Sequence, residues 1–395
     1  MSGTEDKGVY RALFAVNFLV CLGFGIADPF FPVYATSNGA ASIHLALIFS
    51  GFAAAKTLFS PLTGWWSDRI GRRRLLVIGL FAHAAIAIGY LYLPSPPFLI
   101  LLRFLQGVAA ALVRPVSLAY VGDMAPARHE GTAMGTFDIS YYAALAIGPV
   151  AGGVIQDTLG FPGIFVSLSA LCILAFLTAL IFMKRFGKNR EKEGRAFRVD
   201  LSLLKKSRTL IALCGFIFSR TFGIVYFGMF LPIFMFEDLH LTGVEMGVVM
   251  GASTIVTALM LRPMGHLSDR VRRDRLILFG GAAAALLTAL LPLSETFPQI
   301  LFLSIGIGFA SVLSLPASSA LLVEEGNRQG MGLTIGIFNA AMNLGAVLAP
   351  LAGGFLFSLF GMKAVFYSAG FLGFAGICFY YLARSARERD GGADS

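Results

Sequence analysis

The chain has 395 residues, of which 57% are hydrophobic and only 13% are charged, and its formal net charge is +9. A soluble domain of this composition would lack the polar side chains needed to cover its surface, so an ordinary soluble fold is excluded and a membrane protein is indicated. Apolar runs close to the roughly 20 residues that cross a bilayer predict twelve membrane-spanning helices. In chain order they lie near residues 10–36, 43–65, 74–93, 97–123, 132–157, 161–185, 207–236, 243–264, 274–293, 297–323, 330–357 and 361–384.

A polar segment without apolar periodicity separates the sixth predicted span from the seventh. We therefore expect a bundle of six helices at residues 1–185, a cytoplasmic linker at 186–206 and a second bundle of six helices at 207–395. The first nine residues are polar, and the apolar run after them is too long for the core of a signal peptide. The first span is therefore expected to remain in the mature protein.

Lysine and arginine concentrate on one side of the predicted helices. The loops on the other side contain neither residue; they lie near residues 37–42, 94–96, 158–160, 237–242, 294–296 and 358–360. Because loops rich in Lys and Arg stay in the cytoplasm, we expect a multi-pass protein of the cell (inner) membrane with both termini cytoplasmic. No basic region is interleaved with stacking aromatic residues, so nucleic acid is not an expected partner.

The sequence contains an internal repeat. Residues 64–74 and 265–275 share most of their pattern, and the same offset of 201 positions carries residues 148–153 onto 349–354. Because several glycine, proline and charged positions share this one offset, the same membrane-spanning unit occurs twice in the chain. Duplicated halves of this kind build secondary transporters, with the substrate path between the halves.

Neither a metal centre nor a nucleotide site is predicted. The four cysteines lie in separate predicted spans at Cys21, Cys172, Cys214 and Cys378, so neither a disulfide nor a metal site is indicated. The phosphate-binding pattern GxxxxGK[ST] is absent, and no soluble segment is large enough to hydrolyse a nucleotide. We expect no cofactor and no enzymatic activity, and any transport would draw on a gradient.

Three motifs resemble those of the major facilitator superfamily, and the resemblance covers essentially the whole chain. The segment Gly64-x-x-x-Asp68-Arg69-x-Gly71-Arg72-Arg73 is similar to the loop signature between helices 2 and 3 of that family, and its second copy has Arg272 where the second glycine would stand. Arg103-x-x-Gln106-Gly107 is similar to the helix 4 motif of proton-coupled members. Gly148-Pro149-x-x-Gly152-Gly153 resembles the helix 5 motif of antiporters, although Ala144 replaces a further glycine.

The resemblance implies an all-α membrane protein with twelve transmembrane helices in two pseudo-symmetric six-helix bundles. Among the members of the family, the chain resembles the drug/metabolite:proton antiporter group. The residues of the loop signature are interpreted as a cytoplasmic latch that holds the outward-facing state: Gly64, Asp68, Arg69, Gly71, Arg72, Arg73 and Asp123. The alternative is that the basic cluster only anchors the loop to anionic headgroups.

Each residue type in these motifs has a physical reason. Gly64 would permit close helix contact, and Gly71 would allow a tight turn. Asp68 can pair with a neighbouring arginine or accept hydrogen bonds from a helix N-terminus, and Asp123 is a second expected acceptor. In the helix 5 motif the small residues allow a neighbouring helix to approach and Pro149 permits a bend; the alternative is tight packing without a moving part.

Six of the charged residues in the predicted spans are placed at membrane depth, where each is costly in lipid and must face protein or water. They are Asp28, Lys56, Arg103, Arg114, Asp138 and Arg220. Their depths, at about 1.5 Å of rise per residue, sort them into an outer set (Asp28 with Arg103) and an inner set (Asp138 with Arg114 and Lys56). Arg220 has no obvious acidic partner in its own half. His83 is interpreted as a packed or interfacial residue.

Two interpretations of these charges remain open. They are structural ion pairs, or their acids exchange protons as the opposing cation or the substrate moves; the proton-coupling candidates are Asp28, Asp138 and Arg103. Asp28-Pro29 and Arg114-Pro115 each place a charge before an expected helix break, where water can gather. The substrate-cavity candidates are Lys56, Arg114, Arg220, Tyr141, Tyr142, Ser314, Ser318, Asn339 and Asn343.

The sequence therefore predicts a monomeric secondary active transporter that works by alternating access and exports small amphipathic compounds in exchange for protons. Its expected partners are a small-molecule substrate, protons and the lipid bilayer. The surplus of cations in the spans keeps open an alternative, proton-coupled uptake or exchange of an organic anion. A second alternative, a non-transporting membrane sensor or lipid-binding scaffold, would need an appended signalling domain, which the sequence does not contain.

Overall fold

The structure is a computed structural model that describes residues 4–124, 130–183 and 207–391. The predicted linker at 186–206 lies outside the described residues. The helices are α1 (Thr4–Ala27), α2 (Phe31–Ser37), α3 (Ser42–Ile70), α4 (Arg72–Tyr92), α5 (Pro96–Met124), α6 (Glu130–Phe182), α7 (Arg208–Ile233), α8 (Gly243–Arg270), α9 (Arg273–Leu290), α10 (Phe297–Gln329), α11 (Met331–Phe360) and α12 (Met362–Gly391). A π-helical turn, Phe234–Asp238, extends α7, and a 3-10 turn, Leu291–Leu293, follows α9. The predicted all-α membrane fold is confirmed.

Eleven stretches of the described chain are long and apolar enough to cross a membrane, one fewer than predicted. The difference lies in α6, which contains both the fifth and the sixth predicted spans and bends between them at Gly160. The φ angle of Gly160 is 67°, a value that glycine adopts without a steric penalty because it has no Cβ. The two predicted spans are therefore two helices that meet at a kink at Gly160, where the backbone is not helical.

The predicted helix break at Asp28-Pro29 is confirmed, whereas the break predicted at Arg114-Pro115 is wrong. Helix α1 ends at Ala27, a turn occupies residues 28–30, and α2 begins at Phe31. Helix α5, in contrast, runs through Pro115 without interruption. A membrane helix tolerates an internal proline where its neighbours satisfy the backbone group that the ring leaves unbonded.

The described residues form two units. Unit 1 contains the residues up to 183 together with His240–Gly251, and unit 2 contains residues 207–239 and those from Ala252 onward. Helix α8 therefore starts in unit 1 and continues in unit 2, although the whole of it belongs to the second sequence repeat. Within unit 1 the segment Gly243–Gly251 packs against α6.

Each unit has its own apolar core, and the two cores contain equivalent residues. Leu76 in unit 1 and Ile277 in unit 2 are both completely buried, and they lie 201 positions apart. Large apolar side chains also cover the outside of the helices; Phe302 and Phe371, for example, are each 73% exposed. In a membrane-spanning protein such side chains face the acyl chains, which are as apolar as they are.

Candidate functional site

The outer pair of charges, Asp28 and Arg103, forms an ion pair in unit 1. Nη1 and Nη2 of Arg103 each lie 3.1 Å from Oδ1 of Asp28. The Arg103 side chain is only 4% exposed, whereas that of Asp28 is 51% exposed. The guanidinium also lies over the ring of Phe31, 3.7 Å from its centroid, where a cation is attracted by the ring face. The pair therefore joins a fixed, buried cation to an accessible acid.

A chain of hydrogen bonds holds Arg103 in place independently of Asp28. Gln106, one helical turn further along α5, accepts from Nη1 of Arg103 at 2.9 Å and from the Tyr90 hydroxyl at 2.8 Å. The Tyr34 hydroxyl donates to the Tyr90 carbonyl. Because Gln106 and the ring of Phe31 contact the guanidinium independently of Asp28, Arg103 can keep its position when the charge on Asp28 changes.

The inner charges form a second, looser pair. Nη2 of Arg114 lies 3.5 Å from Oδ1 of Asp138, and both side chains are more than one third exposed. Arg114 also lies over the ring of Tyr141 at 3.9 Å, and Tyr142 packs against Tyr141 with 5.4 Å between the ring centroids. The structure thus brings these four candidates together around one accessible ion pair.

Lys56 is not part of the inner pair. Its side chain is exposed, and no carboxylate of the described chain lies within 4.0 Å of its ammonium. Its carbonyl accepts a hydrogen bond from Ser60 at 2.6 Å, but that bond belongs to the backbone of α3. Lys56 is therefore an accessible cation in the middle of a span.

The remaining cavity candidates belong to unit 2, and they do not all line the same cavity. Arg220 and Ser314 line one cavity, described below, whereas Ser318, Asn339 and Asn343 are not among its lining residues. The Ser318 hydroxyl bonds to the Leu315 carbonyl of its own helix at 3.0 Å. Only two of these five side chains therefore share a cavity.

Three residues of the predicted latch bond to one another within unit 1. Arg72 contacts Asp68 at 3.3 Å and bonds to Asp123 through Nε. Its Nη1 also donates to the Ser67 hydroxyl at 3.1 Å. Arg72 therefore ties the end of α3 and the end of α5 to the start of α4, as the sequence led us to expect for Asp123.

The other arginines of this loop have different partners. Nη2 of Arg73 donates to the Leu180 carbonyl at 2.6 Å, which attaches α4 to the end of α6. Arg69 lies over the Trp65 ring at 3.9 Å from its centroid. These two cations therefore do not share the carboxylates that Arg72 binds.

One part of the latch prediction is wrong. Gly71 does form the turn between α3 and α4, with a φ angle of 100°, but among the described residues, apart from the adjoining turns of α3 itself, no atom lies within 4 Å of a Cβ built at Gly64. The close contact in this part of α3 is made by Thr63, whose hydroxyl donates to the Ala111 carbonyl of α5 at 2.9 Å. Gly64 lies beside that buried face and makes no close helix contact in this structure.

The second repeat reproduces the ion pair at the loop. Arg273 bonds to Glu324, and these positions are those of Arg72 and Asp123 shifted by 201. Glu324 was missed in the sequence analysis, although applying the repeat offset to Asp123 would have found it. Conversely, Asp274 of α9 takes two hydrogen bonds from Arg384, at 2.8 and 2.9 Å, and nothing in the sequence pattern indicated this pair.

The glycines of the helix 5 motif permit close packing on two sides of α6. A Cβ at Gly148 would lie 2.6 Å from the Cα of Gly25 in α1, and one at Gly153 would lie 2.2 Å from the Gly243 carbonyl. From the opposite helix, a Cβ at Gly247 would lie 2.2 Å from the Pro149 carbonyl. Gly152, between them, faces the Ile26 carbonyl of α1 in the same way. The close approach expected of this motif is therefore present, against both α1 and the start of α8.

An acid that the sequence analysis missed lies at the end of this contact. Asp157 accepts hydrogen bonds from the backbone N–H groups of Gly243 at 2.6 Å and Val244 at 2.9 Å. These are the first two residues of α8, whose N–H groups have no partner within the helix. Asp157 follows Gly153 by one helical turn, so it extends the glycine face of α6. All these residues belong to unit 1.

His83 is packed in unit 1, in agreement with the interpretation of the sequence. Its side chain is 1% exposed, and Phe24 contacts it edge to face at 4.9 Å between centroids. Neither ring nitrogen has a hydrogen-bond partner among the described residues. A histidine in this setting contributes to packing.

The chain is similar to known proteins over almost its whole length. The family model described as Major Facilitator Superfamily matches residues 13–229 and 213–395. Multidrug resistance protein 2 of Bacillus subtilis is 26% identical over 94% of this chain and 94% of its own length. The multi-drug resistance efflux pump PmrA of Streptococcus pneumoniae is 26% identical over 93% of this chain and 94% of its own.

Among solved structures, a bacterial homologue of the human lysosomal transporter Spinster superposes with a TM-score of 0.83 at 14% sequence identity. The superposition covers 98% of this chain and 98% of that one. At this identity the likeness concerns the fold alone.

Proposed function

We propose that this chain, which belongs to the Major Facilitator Superfamily, exports small amphipathic compounds in exchange for protons by alternating access. Its relatives in Bacillus subtilis and Streptococcus pneumoniae carry names that refer to multidrug resistance and efflux, which supports export of this kind of solute. The observation that carries the proposal is the pair of Asp28 and Arg103, in which an accessible acid contacts a cation that other residues hold fixed.

Asp28 is the proposed proton carrier. A deprotonated Asp28 is stabilised by its contacts with Arg103, and a protonated one loses most of that attraction. Because Gln106 and Phe31 hold the guanidinium, the change in charge would alter the turn at residues 28–30 and leave α5 unchanged. Protonation would thereby loosen the connection between α1 and α2, an element that can couple the proton to a change of conformation.

Asp138 is proposed as a second acid of the same cycle. Its contact with Arg114 is longer than that of Asp28 with Arg103, at 3.5 Å, and more exposed, so it depends less on a fixed geometry. Tyr141 keeps Arg114 in place by lying under the guanidinium. An entering solute could therefore replace Asp138 as the partner of Arg114 while the arginine stays where it is.

The glycine motif and the basic loop are proposed to take part in the conformational change. The segment Gly243–Gly251 packs on α6 through backbone contacts that leave no room for a side chain at Gly247. We propose that the loop around Arg72 also takes part in this change, at the cytoplasmic side. We further propose that both termini lie in the cytoplasm and that the chain acts as a monomer in the cell membrane.

A second candidate function is proton-coupled uptake or exchange of an organic anion, with an intramembrane arginine such as Arg114 or Arg220 contacting the solute. The observation that favours it is the surplus of intramembrane cations. Among the described residues, Lys56 and Arg220 lie in spans without a carboxylate within 4.0 Å. Charges in such places mark ligand or ion pathways in other membrane proteins.

Everted membrane vesicles test the proposal and separate it from the second candidate. With an inward-acid proton gradient, vesicles containing the protein should accumulate the amphipathic cation ethidium, and nigericin should abolish the accumulation. Without ethidium accumulation, proton-dependent release of preloaded carboxyfluorescein would favour uptake of an anion, and accumulation of carboxyfluorescein would favour its exchange for protons. If neither dye moves faster than in vesicles from cells without the protein, both proposals are wrong for these solute classes.

A further inference from the structure

A cavity of about 260 Å³ lies inside unit 2, and Arg220 of α7 lines it together with residues of α8, α9, α10 and α12. Nη2 of Arg220 donates to the Ser311 carbonyl at 3.3 Å. Within the part of the chain that the structure describes, no carboxylate lies within 4.0 Å of this guanidinium. The other polar side chains that line the cavity are all hydroxyls, those of Ser219, Ser253, Thr254, Thr257, Thr288, Ser311 and Ser314.

Unit 1 has larger or less polar side chains at several positions equivalent to those that line the cavity. Leu80 and Leu168 are at most 1% exposed and fill the core of unit 1; 201 positions later, unit 2 has Gly281 and Ala369, which both line the cavity. Three further lining residues replace apolar counterparts in the same way: Arg220 for Leu19, Ser253 for Phe52 and Thr288 for Ala87. At these five positions the second copy therefore has side chains that are smaller or more polar than those of the first copy.

The exchange places a positive charge where an unpaired charge is costly. The guanidinium of Arg220 is half-buried in an apolar helical bundle, so it loses part of its hydration, and a hydrogen bond to a neutral carbonyl replaces only part of that loss. Arginine has five N–H donors, and the structure assigns one of them to Ser311. The most direct compensation for this charge is an anion in the cavity.

We infer that the cavity around Arg220 is a binding site for a small monovalent anion, either an inorganic ion such as chloride or a carboxylate. The planar guanidinium suits a carboxylate, which it can bind through two parallel hydrogen bonds. The hydroxyls of Thr257 and Thr288 bond to carbonyls of their own helices at 2.9 and 2.8 Å, and rotation of the O–H bond lets each donate into the cavity.

The size of the cavity limits the ligand. Pockets for drug-sized molecules measure about 300–1,000 Å³, so 260 Å³ suits a halide with water, a short-chain acid or a single aromatic acid. This site lies in unit 2, whereas the proposed proton carriers Asp28 and Asp138 lie in unit 1. The inference therefore does not depend on the direction or the coupling of transport.

Thermal unfolding of the purified full-length protein in detergent tests the inference. A thiol-reactive dye would report unfolding through the cysteines, of which Cys172 is buried. Chloride, acetate and benzoate would be titrated as sodium salts at constant ionic strength, maintained with the bulky sulfonate HEPES. An anion that binds only the folded state raises the melting temperature in a saturable way, and we expect this for at least one of the three.

Three variants show whether the effect arises at the cavity. Arg220→Gln should weaken the apparent affinity at least tenfold, and Thr288→Val should weaken it several-fold. The control Arg262→Gln removes an exposed arginine of the same unit that does not line the cavity, and it should leave the affinity unchanged. Arg220→Lys keeps the charge without the planar fork, so it should retain chloride binding and lose most of the binding of a carboxylate.

The results show whether an anion binds in the cavity around Arg220. If no anion gives a saturable shift in the wild type, or if Arg220→Gln and Thr288→Val both respond as the wild type does, the site does not exist. If Arg220→Gln fails to fold, Arg220→Lys and Thr288→Val take its place in the test. Anion affinities equal to those of the wild type in both variants would then also contradict the inference. Because the readout is unfolding, a wild type that binds anions but moves no ethidium would contradict the proposed function and leave this inference intact.

Discussion

Arg72 and Asp123 form an ion pair that joins the start of α4 to the end of α5, and the second repeat contains the same pair as Arg273 and Glu324. Both partners of the second pair lie 201 positions after those of the first. The pair is therefore part of the repeated structural unit and holds two helix ends together within each unit. In unit 1, Arg72 also binds Asp68, a contact that gives the first copy a further connection to α3.

The two ion pairs predict a small effect on stability. In Arg273–Glu324 the side chains are 26% and 52% exposed, and exposed pairs contribute about 0.2–1 kcal/mol. A double-mutant cycle with Arg273→Gln and Glu324→Gln should therefore give a coupling energy in that range. The same cycle on Arg72 and Asp123 should give a similar value, measured by unfolding in detergent. A coupling of several kcal/mol in either unit would show that the pair is much less hydrated than the structure indicates.

The loop residue Asp68 predicts a difference between the two repeats. Asp68→Asn should abolish export while leaving folding and membrane insertion intact, because Asp68 is 68% exposed and its loss costs little stability. Its counterpart Asp269, 201 positions later, is the matched control, and Asp269→Asn should reduce export much less. Dye accumulation in everted vesicles gives the rates, and the amount of inserted protein gives the normalisation. Export at the wild-type rate in Asp68→Asn would end the interpretation of this loop as a latch.

Asp28 predicts a change in pH dependence. Asp28→Asn keeps the shape of the side chain but removes its titration, so export should fall at least tenfold and the remaining flux should no longer follow the proton gradient. Folding should persist because Gln106 and Phe31 still hold Arg103. The comparison variant is Asp138→Asn, which removes an acid from the looser pair and should retain more of the gradient dependence. Unchanged pH dependence in Asp28→Asn would exclude this acid from the coupling.

The pairing of the intramembrane charges could be predicted from the sequence because helical rise fixes depth. Asp28 and Arg103 were placed at one level and Asp138 and Arg114 at another, and both pairs are present. The same argument could not exclude Lys56 from the inner pair, because depth says nothing about the direction in which a side chain points around the helix. The cavity candidates Asn339 and Asn343 failed to join Arg220 for the same reason.

The contacts that sequence reasoning missed depend on how helices meet. Nothing in the local pattern around Asp157 indicates that the first N–H groups of α8 lie beside it. The continuation of α5 through Pro115 likewise depends on neighbouring helices, since proline alone predicts a break. Glu324, in contrast, could have been predicted from the sequence, because it lies 201 positions after Asp123.

The contact between α6 and the start of α8 is expected to limit local opening of the segment Gly243–Gly251. Asp157 satisfies two N–H groups that would otherwise have no partner in the helix, and its charge lies at the positive end of the α8 dipole. Replacing a capping side chain by alanine costs about 0.5–2 kcal/mol. Asp157→Ala should therefore raise hydrogen exchange in residues 240–251 by about two- to thirtyfold, if exchange there follows local opening.

A second variant separates capping from packing in the same segment. Gly247→Val would place a side chain 2.2 Å from the Pro149 carbonyl, so it should release the segment even with Asp157 intact. The control is Thr158→Val, next to Asp157, because the Thr158 hydroxyl bonds only to the Val154 carbonyl of its own helix among the described residues. If both Asp157→Ala and Gly247→Val exchange as slowly as Thr158→Val, the segment is held by other contacts. Increased exchange confined to residues 240–251 in both variants would establish the acid and the glycine face as the two elements that fasten α8 to α6.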